Sequence, residues 1–435
     1  MREIFSDAHF LECMLEFELA LSRALAHTGV APAAEIPAIP RNTIPALFDP
    51  GTLAEQTRLS GNVAIPFVNA LTAIVAKTNP EAAMFVHWGA TSQDVLDTAL
   101  VLQLGEALHI FDETLEKLSN ALAALAERHK ATVLAGRTWL QQGPPTTLGL
   151  KAAGWLSAME RHRVRLKTAA MQVRVLQFGG AVGTLAALGE RGRDVAVALA
   201  ADLKLELPDL PWHSHRDRFA DVATNLASLT ATLGKIARDV SLLMQTEVAE
   251  AFEPAEPGRG GSSTMPHKRN PIGCAAVLAA AQRVPGLVST MLTAMVQEHE
   301  RGLGGWQAEW ETLPEICLLA AGALSHTLHV VSHLEVDEKQ MEKNLEATRG
   351  LIFAEAVTMA LGRKSGRSGA HGRVEAACRR AIKNRRHLRE ELLEDAEISS
   401  HLTASEIDQL FQLRNYLGSA EALVDRVLSP RKKKV

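Results

Sequence analysis

The sequence predicts an all-α protein. Three observations carry that expectation. Apolar residues recur at helical spacing over long stretches, no run alternates convincingly as a strand would, and strand-favouring aromatics are scarce, with Tyr416 the one tyrosine. In EALHIFDETLEKLSNALAALAERHK (106–130), Phe111, Leu115, Leu118, Leu122 and Leu125 step by four and three along one helix face. LGKIARDVSLLMQTEVAEAF (233–252) repeats the pattern through Leu233, Ile236, Val240, Leu243 and Val248. Residues 274–300 predict another long helix, kinked at Pro285, with 312–336 as its partner. Helices of this length and Ala/Leu content suit a tight bundle, and such bundles often pair with other subunits.

The stretch 30–51 is proline-rich and interrupts the N-terminal helical region, and after about residue 345 the composition shifts toward arginine. The expected organisation is an N-terminal helical domain (1–108), a central long-helix bundle (109–345) and a C-terminal helical domain (346–435). RKKKV at the end reads as a solvated tail.

Composition removes several function classes. A net charge of −4 makes no case for nucleic acid. No uninterrupted apolar run approaches the roughly 18 residues of a membrane span, and acidic residues break up the N-terminal stretch where a signal peptide would be apolar. Cys13, Cys274, Cys317 and Cys378 are scattered with no CxxC pair, which suits reduced thiols in a cytoplasmic protein. The HSH at 213–215 could suggest metal, but its histidines do not share a helix face and no third ligand converges, so none is expected. No phosphate-cradling or dinucleotide glycine motif occurs with strand–helix flanks, so no nucleotide cofactor is expected.

Four polar segments interrupt the helices. In VHWGATSQDVLDTA (86–99), Thr91, Ser92, Gln93 and Asp94 either cap a helix beginning near Val95 or use its start, with its unpaired amides, to bind a carboxylate. In AGRTWLQQGPPTTLGLKAAGW (135–155), two glutamines, Thr146 and Thr147 precede a helix, either orienting a polar ligand or satisfying their own loop. GGSSTMPHKRNP (260–271) combines glycines with Ser262, Ser263, Lys268, Arg269 and Asn270; it is either a closing lid with a serine near positive charge or a basic surface linker. QEHERGLGGWQAEW (297–310) sets Arg301 beside Trp306 and Trp310, which are core or pocket wall.

Taken together these segments resemble the fumarase/aspartase superfamily. GSSTMPHKRNP matches its signature loop almost letter for letter, and TSQDVLDTAL and GRTWLQQGPPTT stand where its two other polar regions stand, in the same order. The resemblance covers most of the chain. It implies a three-domain all-α subunit, a homotetramer built on a twenty-helix bundle, and active sites assembled from three subunits. It makes Ser262 the catalytic base and has Lys268, Asn270, Thr91 and Ser92 grip substrate carboxylate. Arg301, Ser263, Thr146, Thr147 and His87 join them as substrate-binding candidates.

Two departures narrow the activity. Most of the superfamily has a histidine where Trp139 stands and a glutamate shortly after KRNP, where this chain reads PIGCA with Ala275. That pair serves proton transfer to a leaving group, so its loss suits a carboxylate that needs no proton. The chain is most similar to the superfamily's bacterial lactone-forming cycloisomerases, which close 3-carboxy-cis,cis-muconate to 4-carboxymuconolactone in aromatic catabolism (the β-ketoadipate pathway). The alternative is adenylosuccinate lyase, which shares MPHKRNPIG but keeps both proton-transfer groups and has a serine and an arginine for a nucleotide phosphate where Trp306 and Trp310 stand. Another lyase of the superfamily is a further alternative. So is an inactive scaffold of the same fold, which would have no need to keep Ser262, Lys268 and Asn270. Expected partners are a small tricarboxylate and three further copies of the chain.

Overall fold

The computed structural model describes residues 1–32, 47–256 and 258–432. Five long helices dominate it: Ser92–Arg128, Leu148–Val173, Asp217–Leu243, Ile272–Ala294 and Gly305–Ser332. The first spans 37 residues, about 55 Å at the α-helical rise. Its stripe is core, with Phe111, Leu115, Leu118 and Leu122 at most 1 % exposed. Truncating such a leucine to alanine costs about 2–5 kcal/mol. The Ile272–Ala294 helix carries Pro285 inside it, as the sequence indicates.

The second predicted helix is displaced. It begins at Asp217 and ends at Leu243, short of residue 252. Beyond that end, Glu250 is fully buried and takes a forked pair of hydrogen bonds from Arg137 (2.9 and 2.6 Å) and one from Asn344 (2.8 Å). Val248 packs on Leu134, Leu148, Leu243, Ala251 and Met341 in a local core rather than extending the helical stripe.

The expected absence of strands holds for the bulk of the chain but not at 133–147. Val133–Thr138 and Gln141–Thr147 form an antiparallel hairpin, and Ala251–Phe252 pairs with Glu335–Val336. The hairpin lacks the usual signals: its sequence does not alternate, and its two tip residues, Trp139 (φ 53°) and Leu140 (φ 63°), take left-handed conformations normally given to Asn or Gly.

By compactness the described chain divides into two units, neither continuous in sequence. The first is Met1–Leu115, His162–Leu233 and Ala279–Ser325; the second is Glu116–Arg161, Gly234–Leu278 and His326–Val435. The unit boundaries fall inside the long helices, at other positions than the sequential cuts near 108 and 345. Within the second unit, helices from Ala354 onward enclose Val357, Leu361, Val374, Leu388, Ile398 and Ile407. Several of the arginines concentrated there make ion pairs, among them Arg386 with Glu394 and Arg389 with Asp408, both at 2.6 Å.

At the helix level two segments, Ile272–Ala294 and Gly305–Ser332, are long and apolar enough to cross a membrane, although the primary sequence showed no uninterrupted run. Each already buries part of its surface against the rest of the chain, through Val277, Val284, Leu313 and Ile316 among others. Most of the proline-rich stretch, 33–46, lies outside the described residues, as does the end of the basic tail, 433–435; Arg431 and Lys432 belong to the last helix, Ala420–Lys432.

Candidate active site

In the first unit the polar residues gather at the start of the Ser92–Arg128 helix, three residues earlier than the sequence suggested. Asp94 is fully buried and organises the cluster. Its carboxylate accepts the amide hydrogens of Thr91 (3.0 Å), Gly179 (3.0 Å) and Gly180 (2.9 Å) and contacts His213 Nε2 at 2.7 Å. One side chain thus ties the TSQD, FGGAVG and PWHSH segments together, with His213 as its ring partner. Among the described residues no group of three or more His, Cys, Asp or Glu is arranged to hold a metal ion.

Arg301 completes the cluster. Its Nη1 donates to Thr91 Oγ1 and its Nη2 to the Ala181 carbonyl, each at 3.0 Å. The Thr91 hydroxyl oxygen accepts from the guanidinium, which leaves its own hydrogen for an acceptor. Thr91, Ser92 and the first amides of a long helix, with a guanidinium alongside, form a seat suited to a carboxylate. His87, four residues before Thr91, has its ring Nδ1 2.5 Å from the buried carboxylate of Glu18. Burial lowers the affinity of this imidazole for a proton, but the charge and hydrogen bond of Glu18 and the charge of Asp94 outweigh it. The net shift is upward from the ordinary histidine value.

Beneath this seat lies a buried charge network. Arg216 Nη1 and Nη2 reach the Asp97 carboxylate at 2.6 and 3.0 Å, and Nη2 reaches Glu309 Oε2 at 2.6 Å. Trp306 is buried and donates its indole N–H to Asp97 (3.1 Å), while Trp310, edge-on to it with centroids 5.0 Å apart, lines a cavity of about 460 Å³. Of the two readings for the tryptophans, each therefore fits one: Trp306 is core and Trp310 is wall.

In the second unit, Ser262, Ser263, Lys268 and Asn270 share the 258–271 loop. The Asn270 amide donates to the Gly260 carbonyl at 2.9 Å and closes the loop's neck. Gly260 has φ +67°, and a Cβ there would stand 2.8 Å from the Asn270 oxygen, so the neck requires glycine. Arg269 fastens the other end, donating to Glu335 (2.9 Å) and to the Glu253 carbonyl (2.5 Å) with its guanidinium over Phe252. Glu253 is buried and caps the Ile272–Ala294 helix through the amides of Gly273 and Cys274. Burial, followed by Glu253, pushes the Cys274 thiol far up, away from nucleophilic use.

Ser262 is held by its own loop: the amides of Thr264 (3.3 Å) and Met265 (3.0 Å) both point at its Oγ. Two donors aimed at a hydroxyl oxygen favour its losing a proton, the direction a catalytic serine needs. Lys268 is exposed and lines a small cavity with Glu253, Arg259 and Asn270. Thr146 is half-buried in the hairpin. Thr147 departs from the expectation: it is fully buried, and its hydroxyl oxygen accepts from the Leu150 amide as a cap for the Leu148–Val173 helix, so no face of it is left for a ligand.

Sequence reasoning did not single out Glu18, Asp97, His213, Arg216 or Glu309 as site-building residues. Their partners lie 69 to 119 positions away, a separation local patterning does not reveal.

A family model described as Lyase matches residues 1–286, and one described as Adenylosuccinate lyase C-terminus matches 350–427, a segment holding none of the site residues named above. The 3-carboxy-cis,cis-muconate cycloisomerase of Pseudomonas aeruginosa is 54 % identical over 99 % of this chain and 94 % of its own length. That of Bradyrhizobium diazoefficiens is 51 % identical over 98 % and 95 %. The crystal structure of the 3-carboxy-cis,cis-muconate lactonizing enzyme from Pseudomonas putida superposes with a TM-score of 0.92 at 49 % identity, covering 100 % of this chain and 97 % of that one. With the signature loop, the all-α architecture and these matches in hand, the chain belongs to the fumarase/aspartase superfamily of lyases.

Proposed function

We propose that this chain is an enzyme that cycloisomerises 3-carboxy-cis,cis-muconate to 4-carboxymuconolactone. The observation that carries the reading is full-length identity of 54 and 51 % to two enzymes of that name. The site chemistry supports it independently. Trp139 stands 97 % exposed at the hairpin tip, and Ala275 is the fourth residue of the Ile272–Ala294 helix after KRNP, so these two positions offer no acid–base pair to a leaving group. An intramolecular carboxylate needs none.

In the proposed reaction one carboxylate oxygen bonds to an alkene carbon, and the π pair moves toward a neighbouring carboxylate to give an aci-carboxylate. The adjacent carbon then takes a proton from Ser262, which regains one from solvent. Atoms and charge balance without a cofactor. Lys268, Asn270 and loop amides stabilise the developing charge, usually a large contribution in such sites. Thr91, Ser92, Arg301 and His87 hold a second carboxylate, with Ser263 and Thr146 as further contacts.

The active unit in this reading is a tetramer whose sites combine residues from three chains. What supports it is exposed apolar surface on the long helices, at Val164, Met171, Ile272 and Leu292, of the kind a bundle of helices from several copies covers. The low cysteine content and reduced, unpaired thiols support a cytoplasmic setting. Proton NMR of the product formed in D₂O tests the reaction: the expected result is a lactone carrying one deuterium at the newly protonated carbon. An unconsumed diene would overturn the proposal.

A further inference from the structure

Glu18 lies in the Asp7–His27 helix, far in sequence from every nominated site residue, on a face that is otherwise core: its neighbours Leu15, Phe17 and Leu21 are buried. A fully buried carboxylate is expensive unless paired, and among the described residues this one is paired with His87. Its Oε1 stands 2.5 Å from His87 Nδ1, and its Oε2 accepts the His87 backbone amide at 3.1 Å. Both the ring and the main chain of His87 are therefore gripped by one side chain. The grip coincides with backbone strain, since His87 adopts φ 59°, a left-handed conformation unfavourable for a residue with a Cβ. Such a conformation persists where the surroundings over-determine it.

We infer that Glu18 is a positioning residue for the carboxylate seat: by holding His87 Nδ1 and amide, it fixes the ring so that Nε2–H is the edge offered to a substrate carboxylate. This deepens, and rests on, the lactonising reaction proposed above. With Nδ1 committed to Glu18, a proton at Nε2 gives His87 a second donor and a positive charge four residues from Thr91. The charged groups that bear on the ring are Glu18 from the Asp7–His27 helix and Asp94 from the Ser92–Arg128 helix, both acidic, and both favour the imidazolium.

The test uses the full chain and the variants Glu18→Gln and His87→Asn. Glu18→Gln keeps the size but removes the charge and one of the two acceptor oxygens that hold His87. The expected result is a rise in KM for 3-carboxy-cis,cis-muconate of about tenfold, the scale of one charge-assisted hydrogen bond, with a smaller change in kcat. The alkaline limb of the kcat/KM profile should move to lower pH. In the His87→Asn background, Glu18→Gln should add nearly nothing to KM, because its effect runs through that ring. NMR titration of the His87 ring, assigned by its disappearance in His87→Asn, should show it titrating above the ordinary histidine value in the wild type and lower in Glu18→Gln. If Glu18→Gln does not fold, the wild-type titration still decides: His87 titrating at or below the ordinary value would overturn the inference. So would a folded Glu18→Gln variant with unchanged titration and KM. Wild-type protein that leaves the diene untouched would defeat the proposed reaction instead, while the titration separately decides whether Glu18 sets the state of His87.

Discussion

His213 Nε2 lies 2.7 Å from Asp94 Oδ1, and that carboxylate also receives the amides of Gly179 and Gly180. Segments 85 to 119 positions along the chain from Asp94 meet on its side chain. Asp94→Ala would leave several buried donors without an acceptor, at about 1–3 kcal/mol each. The expected outcome is a loss of at least about 3 kcal/mol, read as a lower urea midpoint, together with loss of activity. Asp94→Asn, which keeps an acceptor oxygen, should retain part of the stability.

Arg216 faces two buried carboxylates, Asp97 and Glu309. Arg216→Met strands both and should destabilise by about 3–5 kcal/mol near neutral pH. The pH dependence has a definite sign. Burial raises the affinity of Glu309 for a proton, with the Arg216 charge opposing, so its folded value already lies above the ordinary one. A carboxyl raised in the folded state costs no stability below its unfolded value, and the cost grows as pH rises from there toward the folded value. Removing Arg216 removes the opposing charge, so the variant's deficit should shrink in acid and widen toward neutral pH. A deficit independent of pH would count against the charge account.

Ser262→Ala should lower kcat by about 10²–10⁴, the range of general acid–base contributions, with an unchanged circular dichroism spectrum. Turnover near wild type would remove Ser262 from its assigned role.

Arg301→Lys should raise KM by roughly tenfold with a lesser effect on kcat. Lysine cannot reproduce the fork that reaches Thr91 Oγ1 and the Ala181 carbonyl together. An equal fall in kcat and kcat/KM would instead place Arg301 in the reacting geometry.

Trp139→His alone should produce no cleavage of adenylosuccinate, because Ala275 supplies no carboxylate to support an introduced histidine. Appearance of that activity in the single variant would mean the two positions do not govern the leaving group.

How much of this was legible in the sequence differs by residue. Phe111 through Leu125 announce their helix because burial on one face imposes a repeat that survives in the letters. The loop stood out because GSSTMPHKRNP matches a family signature almost letter for letter; its composition alone left lid and linker both open. The 133–147 hairpin was not: its tip places Trp139 and Leu140 in conformations that neither residue favours, so tertiary context sets it against local preference. Thr147 stayed between two readings because a capping threonine and a ligand-binding threonine look alike in sequence; its burial and its bond from the Leu150 amide show a cap. Glu18 and Arg216 were invisible for another reason. Each occupies a position whose neighbours spell ordinary core or loop, and only the fold brings its partner within 3 Å.

The most direct test of the central claim is an ultraviolet assay of the purified protein with 3-carboxy-cis,cis-muconate, following the diene absorbance, with adenylosuccinate in a parallel cuvette. The account predicts loss of the diene and no change in the second cuvette. Cleavage of adenylosuccinate with the diene left intact would contradict it, and would show that Trp139 and Ala275 do not mark the leaving group.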